Sequence, residues 1–412
     1  MDKSGQEKMN ISRKIETSRA GIIGAVTLAA ALSLGASPAA RAAGSYDINV
    51  VLPLTGNAAF VGQGQKDALT ALQEQVNETG GIRGEQLQFA FHDDQSQPQV
   101  AVQLTSGFLG DKPAVIMGSS LVGMCLAMAA LLADGPVQYC LSPAIHPKPG
   151  SYVFSASSSS VDQIAAVTRY YRMKGWTELA TLMTTDASGQ DGSRAVDDVL
   201  NYPENKAVMH HVVTEYFNPS DVSVAAQIAR IKSSGAQAII AWTTGGPAAT
   251  VFRGMVQDGL DLPVAPTSGN QTFAAMETWQ AFLPKQLILA SALYPPHAGL
   301  LELDPRVEAA QQAMYAILNK HGLKADNMAA TSWDAGLMVV SGLRELGPSA
   351  TAAQLRSYIA GLTNFPGVDG IYNFAKVPQR GLGPDASTVT TYDAKTKEWV
   401  WLSQPAGAPL NK

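Results

Sequence analysis

The sequence predicts an α/β fold of two successive doubly wound lobes, and three observations carry that reading. Short apolar runs alternate with helical patterns along most of the chain, which is the order of βα units. Runs apolar at successive positions, such as Ala238-Ile239-Ile240-Ala241-Trp242, suit strands buried on both faces, as in a parallel sheet covered by helices. About 370 residues remain beyond an N-terminal leader, more than one core usually supports.

The first series opens with a strand at 48–54, then a helix that sets Leu69, Leu72 and Val76 on one face. Gly80-Gly81 stops this helix, and Gly84 turns the chain into a strand at 87–91. A helix at 100–109, a strand at 115–117, a helix at 123–134 and a strand at 136–141 follow. The polar stretch 155–160 has the composition of a linker or short loop. The second series runs through a helix at 161–174, strands at 179–183 and 208–216, a helix at 222–233 and a strand at 236–242. Beyond Pro295-Pro296 the pattern is helical at 307–321, 328–346 and 352–362, and ends in strands around 371–374, 388–392 and 399–402.

The leader is an address and not part of the fold. Arg13, Lys14 and Arg19 precede an apolar run over 21–34 and small residues as far as Ala43, the order of a secretory signal peptide. Ala40-Arg41-Ala42 suits signal peptidase, so residues 1–42 are expected to be removed and the protein to reach the periplasm. The apolar run is short for a ~30 Å hydrocarbon core. Removing the leader takes away six of 29 Lys/Arg and three of 34 Asp/Glu, leaving a net charge of −8. That balance, with no basic cluster, argues against nucleic acid or an anionic membrane surface as partner.

Cys125 and Cys140 are too few for a disulfide framework or a cysteine metal site. The first falls in the opening turn of the helix at 123–134 and the second near the end of the strand at 136–141, so both lie at one edge of the sheet. Two buried free thiols and a mutual bond both fit that placement; an oxidising compartment favours the bond. The chain has no G-x-S-x-G elbow, no P-loop, no H-E-x-x-H and no G-x-G-x-x-G after its first strand. His210-His211 lies in a strand, where the two rings face opposite sides. No enzyme, metal or cofactor chemistry is therefore expected.

Several segments resemble, in order, the branched-chain amino-acid type of solute-binding proteins of ABC importers. Val51-Leu52-Pro53-Leu54-Thr55-Gly56, Asn77-Glu78-Thr79-Gly80-Gly81-Ile82-Arg83-Gly84 and His92-Asp93-Asp94 are similar to the family's opening. Val115-Ile116-Met117-Gly118-Ser119-Ser120 and Leu141-Ser142-Pro143-Ala144 look like two of its ligand loops, and Trp333-Asp334-Ala335 falls in a helix where the family often has an aromatic residue. The resemblance implies a type I periplasmic-binding fold, with two Rossmann-like lobes joined by three hinge crossings and a ligand between them. It places lobe one at 44–156 plus 295–366 and lobe two at 157–294 plus 367–412. A monomer that delivers a small molecule to membrane permease subunits is implied too.

Carried over residue by residue, the expected ligand contacts from lobe one are Phe60 and Val61 after the first strand, Ser119, Ser120 and Gly123 at a helix start, and Ala144 and His146. From lobe two they are Gln190, Asp191, Thr243, Thr244 and Asn270. Asp191 also suits a helix cap, and Phe60 also suits packing between lobes. Amino-acid binders of the family pair the ligand's ammonium with an acid in a lobe-two loop, where this chain is read to have Asn270. A buried ammonium without an anionic partner is costly. The expected ligand is therefore a small carboxylate, such as a benzoate derivative with Phe60 as an apolar wall. A branched-chain or other amino acid paired with Asp191, and a ligand-sensing subunit of the same fold, are the alternatives.

Overall fold

The computed structural model describes residues 44–296 and 299–410, so the expected signal segment lies outside the described residues. The chain begins with β1 (Ser45–Leu52), α1 (Ala59–Glu78), β2 (Gln86–Asp93), α2 (Pro98–Phe108), β3 (Val115–Gly118), α3 (Val122–Ala129), β4 (Val137–Cys140) and β5 (Val153–Ser155). These strands form one parallel sheet in the order β2-β1-β3-β4-β5. The order reverses between β1 and β3, and such a switch point leaves a crevice beyond the carboxyl ends of the strands.

A second parallel sheet follows. It is built from α4 (Ser160–Met173), β6 (Glu178–Thr184), α5 (Ala187–Leu200), the single turn α6 (Pro203–Lys206), β7 (His210–Phe217), α7 (Ala225–Ser233), β8 (Ala238–Ile240), α8 (Gly246–Asp258), β9 (Val264–Ala265) and α9 (Phe273–Trp279). Its order is β7-β6-β8-β9, with a switch point between β6 and β8. After β10 (Leu289–Ser291), helices α10 (Pro305–Lys320), α11 (Asn327–Leu346) and α12 (Ala352–Gly361) return to the first sheet. A small hairpin of β11 (Phe365–Pro366) and β12 (Ile371–Tyr372) leads to β13 (Thr388–Asp393) and β14 (Glu398–Trp401), which form an antiparallel sheet with β10 in the order β10-β13-β14.

The successive apolar residues of the strands go to opposite faces, as a sheet covered on both sides requires. In β6, Ala180 and Leu182 pack into one core while Leu179 and Met183 pack into the other. In β1, Ile48, Val50 and Leu52 join Leu69, Leu72 and Trp333, whereas Val51 meets Met124 and Met128. Each such Val, Leu, Ile or Met side chain contributes about 1.5–3 kcal/mol when fully buried. Polar residues cap several of the helices: Ser159 and Asp162 form a reciprocal box on α4, and Asp326 accepts from the amides of Met328 and Ala329 on α11.

Three readings of the sequence need correction. The stretch 155–160 is no solvated linker: Ser155, Ser157, Ser158 and Ser160 are buried, Ser155 donates to the carbonyl of Ser142, and Ser387 donates to Ser158. The final return to the second lobe does not follow residue 366, because Val368, Tyr372, Phe374, Leu382 and Ala386 still pack in the first core; the chain leaves it near Ser387. Finally, α5 and α8 were not read as helices, and Asp191 lies inside α5 while Asp186 caps it by accepting from Gly189 N. Glycine disfavours helix, and α5 carries Gly192 because a Cβ there would stand 2.3 Å from the Trp242 ring.

Candidate ligand-binding site

Residues beyond the carboxyl ends of both parallel sheets enclose a cavity of about 360 Å³. The first wall is built by Asn57, Val61 and Gln65 after β1, by 120–124 at the start of α3, by 141–144 after β4, and by Met328 and Thr331 of α11. The second is built by Thr184 and 186–188 after β6, by 242–244 after β8, and by 267–269 after β9. Both switch points thus open into one space, where the fold places ligands. The walls touch at the rim: Gly246 N donates to Asn57 O at 3.0 Å, and the Asn327 amide donates to Ser268 O at 3.1 Å.

Most of the lining surface is apolar, with Leu121, Val122, Met124, Leu141, Trp242 and Met328 on it, and serine and threonine hydroxyls are interleaved among them. No lysine, arginine or histidine lines the cavity among the described residues, and Asp186 is the one acid there. Helix α3 begins at this wall without a side-chain cap, so the positive end of its dipole and its first amides face the site. Four lining side chains hold a buried polar atom without a partner in the protein: Gln65 Nε2, Ser157 Oγ, Trp242 Nε1 and Thr331 Oγ1. Unmet polar atoms carry a desolvation cost that a bound polar molecule or ordered water removes. No cluster of His, Cys, Asp or Glu suited to a metal occurs among the described residues.

Six of the sequence-expected contacts line the cavity: Val61, Ser120, Gly123, Ala144, Thr243 and Thr244. The other six stand elsewhere. Phe60 packs edge-on against Trp279 at 5.6 Å and lines a separate surface pocket, so it is not a wall of this cavity. Ser119 is fully buried beneath it and donates to Asp94 Oδ2 at 2.5 Å. His146 Nε2 meets Asp191 Oδ1 at 2.6 Å, and Ser160 donates to Asp191 Oδ2 at 2.5 Å. Gln190 is exposed, its amide on Thr185 O at 3.3 Å. Asn270 is fully buried as a brace: its oxygen accepts from Gly245 N at 2.9 Å, and its amide donates to Thr243 O at 2.7 Å. Thr267, Ser268 and Gly269, not Asn270, present that loop to the cavity.

Cys125 on α3 and Cys140 at the end of β4 are disulfide-bonded, with Cα atoms 5.9 Å apart. The bond therefore ties together the two segments that continue into the first wall. Gln65, Asp186 and Trp242 are lining residues that sequence reasoning did not select. Gln65 had a legible signal, a lone amide four residues after Val61 on the buried face of α1. The sequence places Trp242 at the end of its strand, but β8 ends at Ile240, so Trp242 stands in the loop that follows.

Two parallel α/β sheets that close on one cavity at their switch points define the type I class of two-lobed binding fold. The chain belongs to the periplasmic binding protein family, whose model matches residues 45–396. It is 26% identical over 212 residues to Leu/Ile/Val-binding protein BraC3 of Rhizobium johnstonii, covering 50% of this chain and 57% of that protein. It is 27% identical over 218 residues to Leu/Ile/Val-binding protein homolog 3 of Brucella melitensis, covering 52% and 58%. The matches thus span little more than half the length of either relative. Among solved structures, the branched-chain amino acid transporter substrate-binding protein LivJ of Streptococcus pneumoniae, in complex with isoleucine, superposes with a TM-score of 0.71 at 16% identity, covering 86% of this chain and 97% of that one. A fatty acid ABC transporter substrate-binding protein of Thermomonospora curvata gives 0.72 at 18% identity, covering 88% and 92%. These structural likenesses establish the fold. No described helix is long and apolar enough to cross a membrane.

Proposed function

We propose that this chain is the periplasmic substrate-binding component of an ABC importer that captures a small organic carboxylate and passes it to a membrane permease. The observation that carries the reading is the composition of the cavity wall: hydroxyls, the open start of α3, and the unpartnered donors of Gln65 and Trp242, with no acid except Asp186. Amides and hydroxyls aimed at a helix start suit an anion. Binding without turnover is supported because no histidine, cysteine or lysine stands among the lining hydroxyls to activate them. The signal-like leader and the family support the periplasmic location. The aromatic form of the ligand loses its main support once Phe60 packs elsewhere, leaving Trp242 as the aromatic side chain on the wall.

A branched-chain amino acid is the second reading. Asp186 favours it, as an acid on the second wall able to meet an ammonium, and so do the names of the relatives. A thermal-shift and calorimetry panel of benzoate, 4-methylpentanoate, leucine and isoleucine tests both. Ligand at a hundredfold excess over its Kd should add about 2.7 kcal/mol of stability. Preference for the simple acids, unaffected by Asp186→Asn, supports the carboxylate reading. Tight leucine binding lost in Asp186→Asn replaces it with the amino-acid reading.

A further inference from the structure

Arg380 is a buried cation behind the cavity wall, 5% exposed. Among the described residues no carboxylate forms an ion pair with it. Its guanidinium donates instead to Ser155 Oγ at 2.8 Å, Ser157 O at 2.6 Å, Pro143 O at 3.2 Å and Ile145 O. The acids that act on it through space are Asp162, which is engaged with Ser159, and Asp191, which is engaged with His146 and Ser160. A cation buried among neutral oxygens is undercompensated. Burial accordingly lowers its pKa to about 10.

The partners of Arg380 connect it to the site. Pro143 and Ser157 line the cavity, and Ile145 follows the lining residue Ala144. By accepting from the guanidinium, the carbonyls of Pro143, Ile145 and Ser157 direct their negative ends at the arginine and not at the ligand space. The positive charge stands behind a wall with no basic side chain of its own, in a buried setting where Coulomb interactions are stronger than in water.

Resting on the carboxylate reading above, we propose that Arg380 is the counter-charge of the ligand's carboxylate, acting from behind the 143–145 wall without touching it. It is a positioning residue that sets specificity: the site selects anions over their neutral isosteres although no basic group lines it. An α3 start alone would attract an anion weakly; the buried guanidinium makes the preference a property of the whole wall.

Calorimetry with benzoate against benzamide, 4-methylpentanoate against 4-methylpentanamide, and leucine against leucinamide tests this in wild type, Arg380→Gln and Arg380→Lys. Wild type is expected to bind at least one acid about tenfold or more tighter than its amide. Arg380→Gln should bring that ratio close to one while amide affinity holds, and Arg380→Lys should restore it, which a purely structural role would not do. An unchanged ratio in Arg380→Gln overturns the inference and leaves the carboxylate reading standing. Equal wild-type affinity for acid and amide, or binding of none of the probes, overturns both. If Arg380→Gln does not fold, Arg380→Lys decides: a ratio kept despite lost hydrogen bonds supports charge, and a ratio near one refutes it.

Discussion

His146 Nε2 lies 2.6 Å from Asp191 Oδ1, joining the loop after β4 to helix α5 of the second sheet. The two partners are unequally placed: the His146 side chain is 48% exposed and that of Asp191 is 3% exposed. Asp191 also accepts from Ser160 at the start of α4, so one carboxylate holds three segments near the passage between the sheets. Removing an exposed partner costs little, whereas removing a buried acceptor strands its donors. His146→Ala is expected to change unfolding free energy by under about 1 kcal/mol, and Asp191→Ala to cost about 1–3 kcal/mol. Urea unfolding of both variants measures the difference, and equal losses would refute this division.

The Cys125–Cys140 bond closes a loop with a sequence separation of 15. In the chain-entropy account, such a loop stabilises by about 3 kcal/mol, chiefly through the unfolded chain. Reduction, or a Cys125→Ala/Cys140→Ala variant, should lower the stability by that order. Because the bond ties α3 to β4 beneath the first wall, 4-methylpentanoate binding should weaken as well. Retained stability after complete reduction, shown by thiol titration of the unfolded protein, would overturn the expectation.

The alternation of apolar runs with helical faces was enough to reveal two parallel sheets, because strands buried on both sides leave a signature that needs no partner to be seen. Helix α5 left no such mark. Its first turns contain Ser188, Gly189 and Gly192, and the reason for Gly192 is the ring of Trp242, residues distant in sequence. The cavity divides in the same way. Ser120, Gly123, Thr243 and Thr244 were reached because the family resemblance carried its ligand loops onto a helix start and a strand end. Asn270 and Ser119 were misplaced because sequence shows that a polar residue sits in a loop but not whether it faces the ligand space or braces the loop from beneath. Arg380 was invisible as a site residue, since its partners at 143, 145, 155 and 157 meet it only through the fold.

Asp334 of α11 and Asp369, between β11 and β12, are buried together. Asp334 accepts from Val368 N at 2.8 Å, Asp369 N at 3.1 Å and the Tyr372 hydroxyl at 3.0 Å, while both oxygens of Asp369 lack partners. Desolvation raises both pKa values, that of Asp334 to about 6 and that of Asp369 well above the carboxylate range, with the neighbouring Asp334 charge adding to the latter. The folded state therefore holds protons that the unfolded state releases near pH 4. Stability should fall as pH rises from about 4 through 6 and beyond, the reverse of the usual salt-bridged carboxylate. Asp369→Asn keeps a neutral side chain there and should raise stability at pH 7–8 while flattening the decline. Chemical unfolding across pH 4–8 tests this; a decline of the same slope in the variant would sink it.

Gly245 N-caps α8 with φ +82° at the point where the walls meet. A Cβ there would stand 2.3 Å from Asn57 O, the atom that accepts from Gly246 N to close the rim. Side-chain residues reach this backbone region only at a cost of about 1–3 kcal/mol. The collision exists only where the two walls touch, so its relief is to part them and lose the Asn57 contact. Gly245→Ala should therefore weaken binding of 4-methylpentanoate about tenfold or more, and hold the ligand-saturated protein in a more open shape by small-angle scattering. If Gly245→Ala lowers the stability of the ligand-free protein but binds the probe with wild-type affinity, the contact does not govern closure.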